Sequence, residues 1–125
     1  MPARYADLTG LLAALADHAA GAGVDALHIH RLQLAVEELF TNTIQHGLGG
    51  ESALPVIVGL SADGRGATLC YRDLAPPFDL TVAAALAHDH DRIGGFGLNV
   101  LRSMATAIRY RYCDGANHTE LDFEF

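Results

Sequence analysis

The stretch LQLAVEELFTNTIQHG, Leu32 to Gly47, decides how this chain is read. On a helix turning about 100° per residue, Ile29, Leu32, Val36, Leu39, Phe40 and Thr43 fall within roughly 100° of arc, an apolar stripe made to face a core. Glu38 and Asn42 lie on the opposite side. They are four residues apart, so their side chains stack about one helical turn from each other on the outer face. Glu37, rotated by about 100° from Glu38, reads as a solvent or salt-bridge residue. A carboxylate and a carboxamide placed in this way can serve a proton acceptor and a metal ion together. Asn42 also needs a reason to be there, because asparagine is a poor choice inside a helix.

Outward from this stretch, Leu8 to Ala20 reads as a first helix with Leu8, Leu11, Leu12, Leu15 and Ala19 on one stripe, stopped by Gly21 and Gly23. Asp25 is a natural N-cap for the second helix, which runs to about Gln45 before His46 and Gly47. Leu54 to Leu60 (LPVIVGL) is short and β-branched, hence a strand. ADGRG, Ala62 to Gly66, is a hairpin signal, because Asp-Gly supplies positive φ angles, so Ala67 to Asp73 is the returning strand. Pro76 and Pro77 cannot continue a ladder, which leaves Asp73 at a strand end. A short helix over Leu80 to Ala87 and a polar loop from His88 to Gly95 precede a further helix from Gly97 to Ala105. Ala107 to Cys113 and His118 to Phe125 form a second hairpin around DGAN. In its last strand Thr119, Leu121, Phe123 and Phe125 alternate with Glu120, Asp122 and Glu124, giving one buried face and one wet one.

Strands in tightly joined pairs, with helices before each pair, predict a two-layer α/β (α+β) sandwich: a mixed, mostly antiparallel sheet with helices on one face. A length of 125 residues fits one domain, 1–125. A net charge of -7 argues against a surface for a phosphate backbone, so nucleic acid is not an expected partner. All eight basic residues are arginine, which excludes a Walker A lysine, a Schiff base or a lysine nucleophile. No apolar run approaches the length of a membrane span, and the start MPARYADLTG lacks the apolar core of a signal peptide; the expectation is a cytoplasmic protein without a membrane partner. Cys70 and Cys113 lie in strand-like runs without CxxC spacing and are expected as buried free thiols.

Four short motifs stand in order: EExxxN at Glu37, Glu38 and Asn42; Asp73 followed by LAPPFD; GGFGL from Gly94 to Leu98; and Thr119 in HTEL. This ordered set resembles the GHKL (Bergerat-fold) ATP-binding superfamily, and within it the small bacterial anti-sigma-factor serine kinases, across nearly the whole chain. The resemblance implies an ATP pocket. Asn42 would hold Mg²⁺ through its carbonyl oxygen, and Glu38 would be the catalytic general base. Asp73 would accept the adenine amino group, and Thr119 would share that contact, directly or through water. Nucleotide contacts are also implied for Ala75, Phe78, Gly94, Gly95, Gly97 and Leu98, the glycines forming a lid whose free amides can hold phosphates without a lysine. Arg92 could reach a terminal phosphate or stay solvated. His88 and His90 form an HxH pair with Asp89 and Asp91 but show no third ligand for zinc.

Two positions depart from the family pattern: Ala75 and His118 stand where many members carry glycine. The activity implied is that of an ATP-dependent protein serine kinase and anti-sigma factor. It would bind a sigma factor and phosphorylate a STAS-type anti-anti-sigma protein, and the resemblance also implies a homodimer. The alternatives are a nucleotide-responsive protein-interaction module with weak or no kinase activity, and the detached ATP-binding half of a histidine kinase.

Overall fold

The computed structural model describes residues 1–79, 81 and 95–125, with backbone alone at 95–99. The expected helix over Leu80 to Ala87, and Arg92, Gly94 and the His88/His90 pair, lie outside the described residues. Strand β1 (Pro2–Ala3) leads into α1 (Tyr5–Gly21) and α2 (Ala26–Asn42). After these come β2 (Ser52–Pro55), β3 (Ile57–Ala62) and β4 (Gly66–Asp73). Helix α3 (Gly95–Met104), β5 (Ala107–Cys113) and β6 (Ala116–Glu124) follow.

Four strands form an antiparallel sheet in the order β3-β4-β6-β5. Alternation sorts its faces as expected: Ala67, Leu69, Tyr71, Leu121 and Phe123 point into a core shared with Leu32, Val36, Leu39 and Phe40 of α2, while Cys70 and Arg72 are exposed. The helices therefore cover one face of the sheet. Helix α3 adds Leu101, fully buried, to the same core. On the open face Arg109 bonds Asp122 with both guanidinium nitrogens, which ties β5 to β6 and holds the Asp122 carboxyl below its ordinary range.

Several local expectations are corrected. The strand read over Leu54 to Leu60 is split, because Pro55 has no N–H to donate and Val56 turns aside to pair with the N-terminus: the Met1 ammonium donates to the Val56 carbonyl at 2.7 Å. The freed half, β2, pairs with β1 in a second, two-stranded sheet. The first hairpin does not use a positive-φ Asp-Gly pair. Asp63 instead closes it with its side chain, Oδ1 accepting from the amides of Arg65 at 2.7 Å and Gly66 at 3.1 Å. Positive φ belongs to the second hairpin, at Asp114 (54°) and Gly115 (74°). The thiols are free but not buried, since Leu69 and Tyr71 face inward and leave Cys70 outside; Cys113 is half-buried. The final helix starts at Gly95 rather than Gly97, so Gly95 lies on its first turn instead of in the preceding loop, while Gly97 and Leu98 are helical as expected.

Asp25 caps α2 as expected, its carboxylate accepting from the His28 amide at 2.9 Å. The helix then ends two ways. Regular α geometry stops at Asn42, and a π-helical turn, Thr43–Gly47, carries the chain onward. This widening sits at the edge of the site described next, where π turns recur in proteins.

Candidate functional site

The cleft is built at one end of the sheet, where β4 leaves it and α2 ends. Register sets Asp73 opposite Asn117 and Tyr71 opposite Thr119, with all four side chains on the inner face. The end of α2 lies over them. Leu39, Asn42, Thr43, Gly47, Tyr71, Asp73, Ala75, Phe78, Asn117 and Thr119 line the cleft. Its floor is polar and out of water: Asp73 is 8% exposed, Asn117 and Thr119 5% each, and Thr43 2%.

Buried polar groups at such a floor are normally hydrogen-bonded, and those of Thr43, Asp73 and Asn117 are. Thr43 Oγ1 stands 2.7 Å from both Tyr71 Oη and Asp73 Oδ2. A hydroxyl has one hydrogen to give and lone pairs to receive, so the self-consistent arrangement has the Tyr71 phenol donating to Thr43 and Thr43 donating to Asp73, which is nearer and charged, in preference to the Leu39 carbonyl at 3.0 Å. Burial pushes the Tyr71 phenol well above its ordinary range, the bond to Thr43 opposes this in part, and the adjacent Asp73 carboxylate adds a smaller upward push. Tyr71 therefore stays a donor at neutral pH. On the other oxygen, Asp73 Oδ1 accepts from Asn117 Nδ2 at 2.9 Å and from the Ala75 amide at 3.2 Å. A carboxylate offers about four acceptor positions. Three are filled here, which leaves one on Oδ2.

The rim is different in kind. Asn42 lines the cleft half-buried, and Glu38 stands one turn earlier on α2, half-buried, while Glu37 is exposed. The side chains of Glu38 and Asn42 have no hydrogen-bond partner among the described residues, so both are available to a ligand. The Thr119 hydroxyl is likewise without a partner among the described residues. Ala75 is buried against the end of α2. A Cβ placed on Gly47 would stand 2.9 Å from the Ala75 Cβ, so the methyl at position 75 fits because position 47 has none. This accounts for the departure from glycine at Ala75.

Of the residues singled out by sequence, Asn42, Asp73, Ala75, Phe78 and Thr119 come together in one cleft, with Glu38 beside it. Gly95, Gly97 and Leu98 are set on α3, their side chains beyond the described residues, and Arg92 and Gly94 lie outside them. Three residues of the floor were not anticipated as such. Thr43 reads as part of the apolar stripe, Tyr71 as a strand residue and Asn117 as part of a turn. The signal for the last two is parity: each lies two residues before an expected site residue on its own strand, hence on the same face.

Residues 1–124 match the model of a protein family described as the histidine kinase-like ATPase domain. No curated protein matches the chain. No described helix is long and apolar enough to cross a membrane.

Proposed function

The chain belongs to the histidine kinase-like ATPase domain family, and on that premise we propose that it is an ATP-dependent protein serine kinase and anti-sigma factor, binding a sigma factor and phosphorylating a STAS-type anti-anti-sigma partner in the cytoplasm. One observation carries the reading: a buried carboxylate with, among the described residues, a single acceptor position left stands at the floor of a cleft whose rim holds a carboxamide and, one turn before it, a carboxylate, neither with a side-chain partner among the described residues.

The residues fit the nucleotide by their chemistry. The remaining acceptor on Asp73 suits the exocyclic amine of adenine and repels the carbonyl that guanine carries at that position. The Thr119 hydroxyl is free to bond the base or a bridging water. Asn42 offers a neutral oxygen, the ligand type that Mg²⁺ accepts alongside retained waters. The ion supplies neutralisation of phosphate charge. Glu38 takes the proton of the substrate serine as its oxygen attacks, and must be ionised and within hydrogen-bond reach to do so. Sigma-factor binding, the STAS-type substrate and a homodimer rest on the resemblance to the anti-sigma-factor kinases.

The test is incubation with labelled ATP, Mg²⁺ and a STAS-type partner. Wild type is expected to label one serine. Glu38→Gln should lower transfer by about 10²–10⁴ while keeping ATP affinity, and Asp73→Asn should weaken ATP binding by roughly 10- to 150-fold, the worth of a hydrogen bond to a charged group. Equal transfer by the Glu38 variant would sink its assignment. ATP binding by wild type without transfer would instead leave the nucleotide-responsive interaction module.

A further inference from the structure

Building on the ATP-binding reading, we infer that Asn117, held by Tyr110, is a positioning residue for base recognition: it fixes the Asp73 carboxylate and the Ala75–Phe78 turn in the geometry that selects adenine.

Past Asp73 the chain runs Ala75-Pro76-Pro77-Phe78. The two prolines have no N–H, so this turn cannot bond to a neighbouring strand in the ordinary way. Its carbonyls still need donors. Asn117 supplies them from β6. Its Nδ2 lies 2.9 Å from Asp73 Oδ1, 3.0 Å from the Ala75 carbonyl and 3.1 Å from the Pro76 carbonyl, so that of its two hydrogens one serves Asp73 and the other is shared between the two carbonyls. Its Oδ1 accepts from the Phe78 amide at 3.0 Å and from the Tyr110 hydroxyl. The Phe78 amide can only donate, which settles which end of the Asn117 side chain is oxygen. One amide thus replaces a missing stretch of sheet ladder, and it joins β4's exit, the Phe78 backbone and β5.

The consequence for the site lies in Asp73. Asn117 Nδ2 and the Ala75 amide occupy Oδ1, so the carboxylate cannot rotate freely and the open acceptor is confined to Oδ2. Without Asn117 the carboxylate gains a second free acceptor position and a range of orientations. A floor of that kind still attracts donors but no longer discriminates among bases by position, since selectivity depends on holding the acceptor where the wrong base presents its own. Tyr110 contributes at one remove. Its hydroxyl bonds both the Asn117 oxygen and, at 3.1 Å, the Phe78 amide, from a strand whose register places Tyr110 opposite Thr119.

The experiment measures ATP and GTP affinity by calorimetry, and nucleotide-free melting, for wild type, Asn117→Ala, Asn117→Asp and Tyr110→Phe. Tyr110→Phe keeps the ring and the buried amide, so it tests the idea even if Asn117→Ala does not fold. Expected are a loss of ATP affinity of tenfold or more in Asn117→Ala, with the ATP/GTP affinity ratio falling by a similar factor, and a three- to tenfold fall in the ratio for Tyr110→Phe. Asn117→Asp, which retains the acceptor and places a second carboxylate beside Asp73, should lose selectivity as fully as Asn117→Ala. Lower melting with affinity and ratio within twofold of wild type in Tyr110→Phe and whichever Asn117 variants fold would overturn the inference and leave these residues purely structural. Failure of wild type to bind ATP would overturn the ATP-binding reading itself, and this one with it.

Discussion

Replacing Thr43 by valine isolates the relay that supports Asp73. Valine has nearly the shape of threonine, so no cavity opens and the change is confined to the hydroxyl. In the nucleotide-free protein that hydroxyl lies 2.7 Å from Tyr71 Oη and 2.7 Å from Asp73 Oδ2. Without it the Tyr71 phenol, 4% exposed, has no partner among the described residues, and Asp73 keeps only Asn117 and the Ala75 amide. The buried phenol left unsatisfied costs about 1–3 kcal/mol and the lost bond to the Asp73 carboxylate about 1.5–3 kcal/mol more, while the added methyl returns about 0.8 kcal/mol. The expected net loss is about 2–5 kcal/mol, or roughly 6–20 °C of melting temperature for a chain of this size. Thr43→Ser, which keeps the hydroxyl and loses a methyl, should cost only about 1 kcal/mol. The chain has no tryptophan, so urea unfolding is best followed by far-ultraviolet circular dichroism, with the slope checked for constancy across variants. The double variant Thr43→Val/Tyr71→Phe removes the orphaned phenol and should cost about 1–2 kcal/mol less than the sum of the single changes. Additivity of the two, or valine and serine variants of equal stability, would refute the relay.

Three further outcomes follow from the geometry. Gly47→Ala should destabilise by about 1–3 kcal/mol through overpacking against Ala75, and Gly47→Ala/Ala75→Gly should recover most of that loss in the same urea assay. Gly66→Ala should be worse than Gly47→Ala, because its Cβ would meet the rigid Phe123 carbonyl at 2.6 Å rather than a methyl group. Stability should fall as pH rises above about 10, because the folded state holds the Tyr71 proton more tightly than the unfolded chain; it is fully present below the unfolded value of 10.0 and is lost upward. In Tyr71→Phe the alkaline slope of unfolding free energy against pH should be shallower, and an unchanged slope would assign the effect to other groups.

How much was legible depended on how far apart in sequence the deciding residues stand. The stripe through Leu32, Val36, Leu39 and Phe40 is a local pattern, and all four are buried. The alternation in β6 is equally local. Even Asp73 could be put at a strand end from the two prolines after it. The positive-φ turn was misplaced between the two hairpins because Asp-Gly permits that conformation without requiring it, and at Asp63 a side-chain bond won instead. Cys70 was misread because β-propensity marks a strand without saying which face a residue takes.

By itself the sequence determined helices α1, α2 and α3, the two hairpins and the pairing of a carboxylate with a carboxamide on one helix, since each depends on periods of 3.6 or 2 within a few residues. Tertiary structure alone decided that Thr43 and Tyr71 hold one oxygen of Asp73 and Asn117 the other, and that Gly47 makes room for Ala75. Those partners are tens of residues apart. Each has an ordinary local role that conceals its use, and only the register of β4 against β6, with the end of α2 packed over it, brings them within bonding distance.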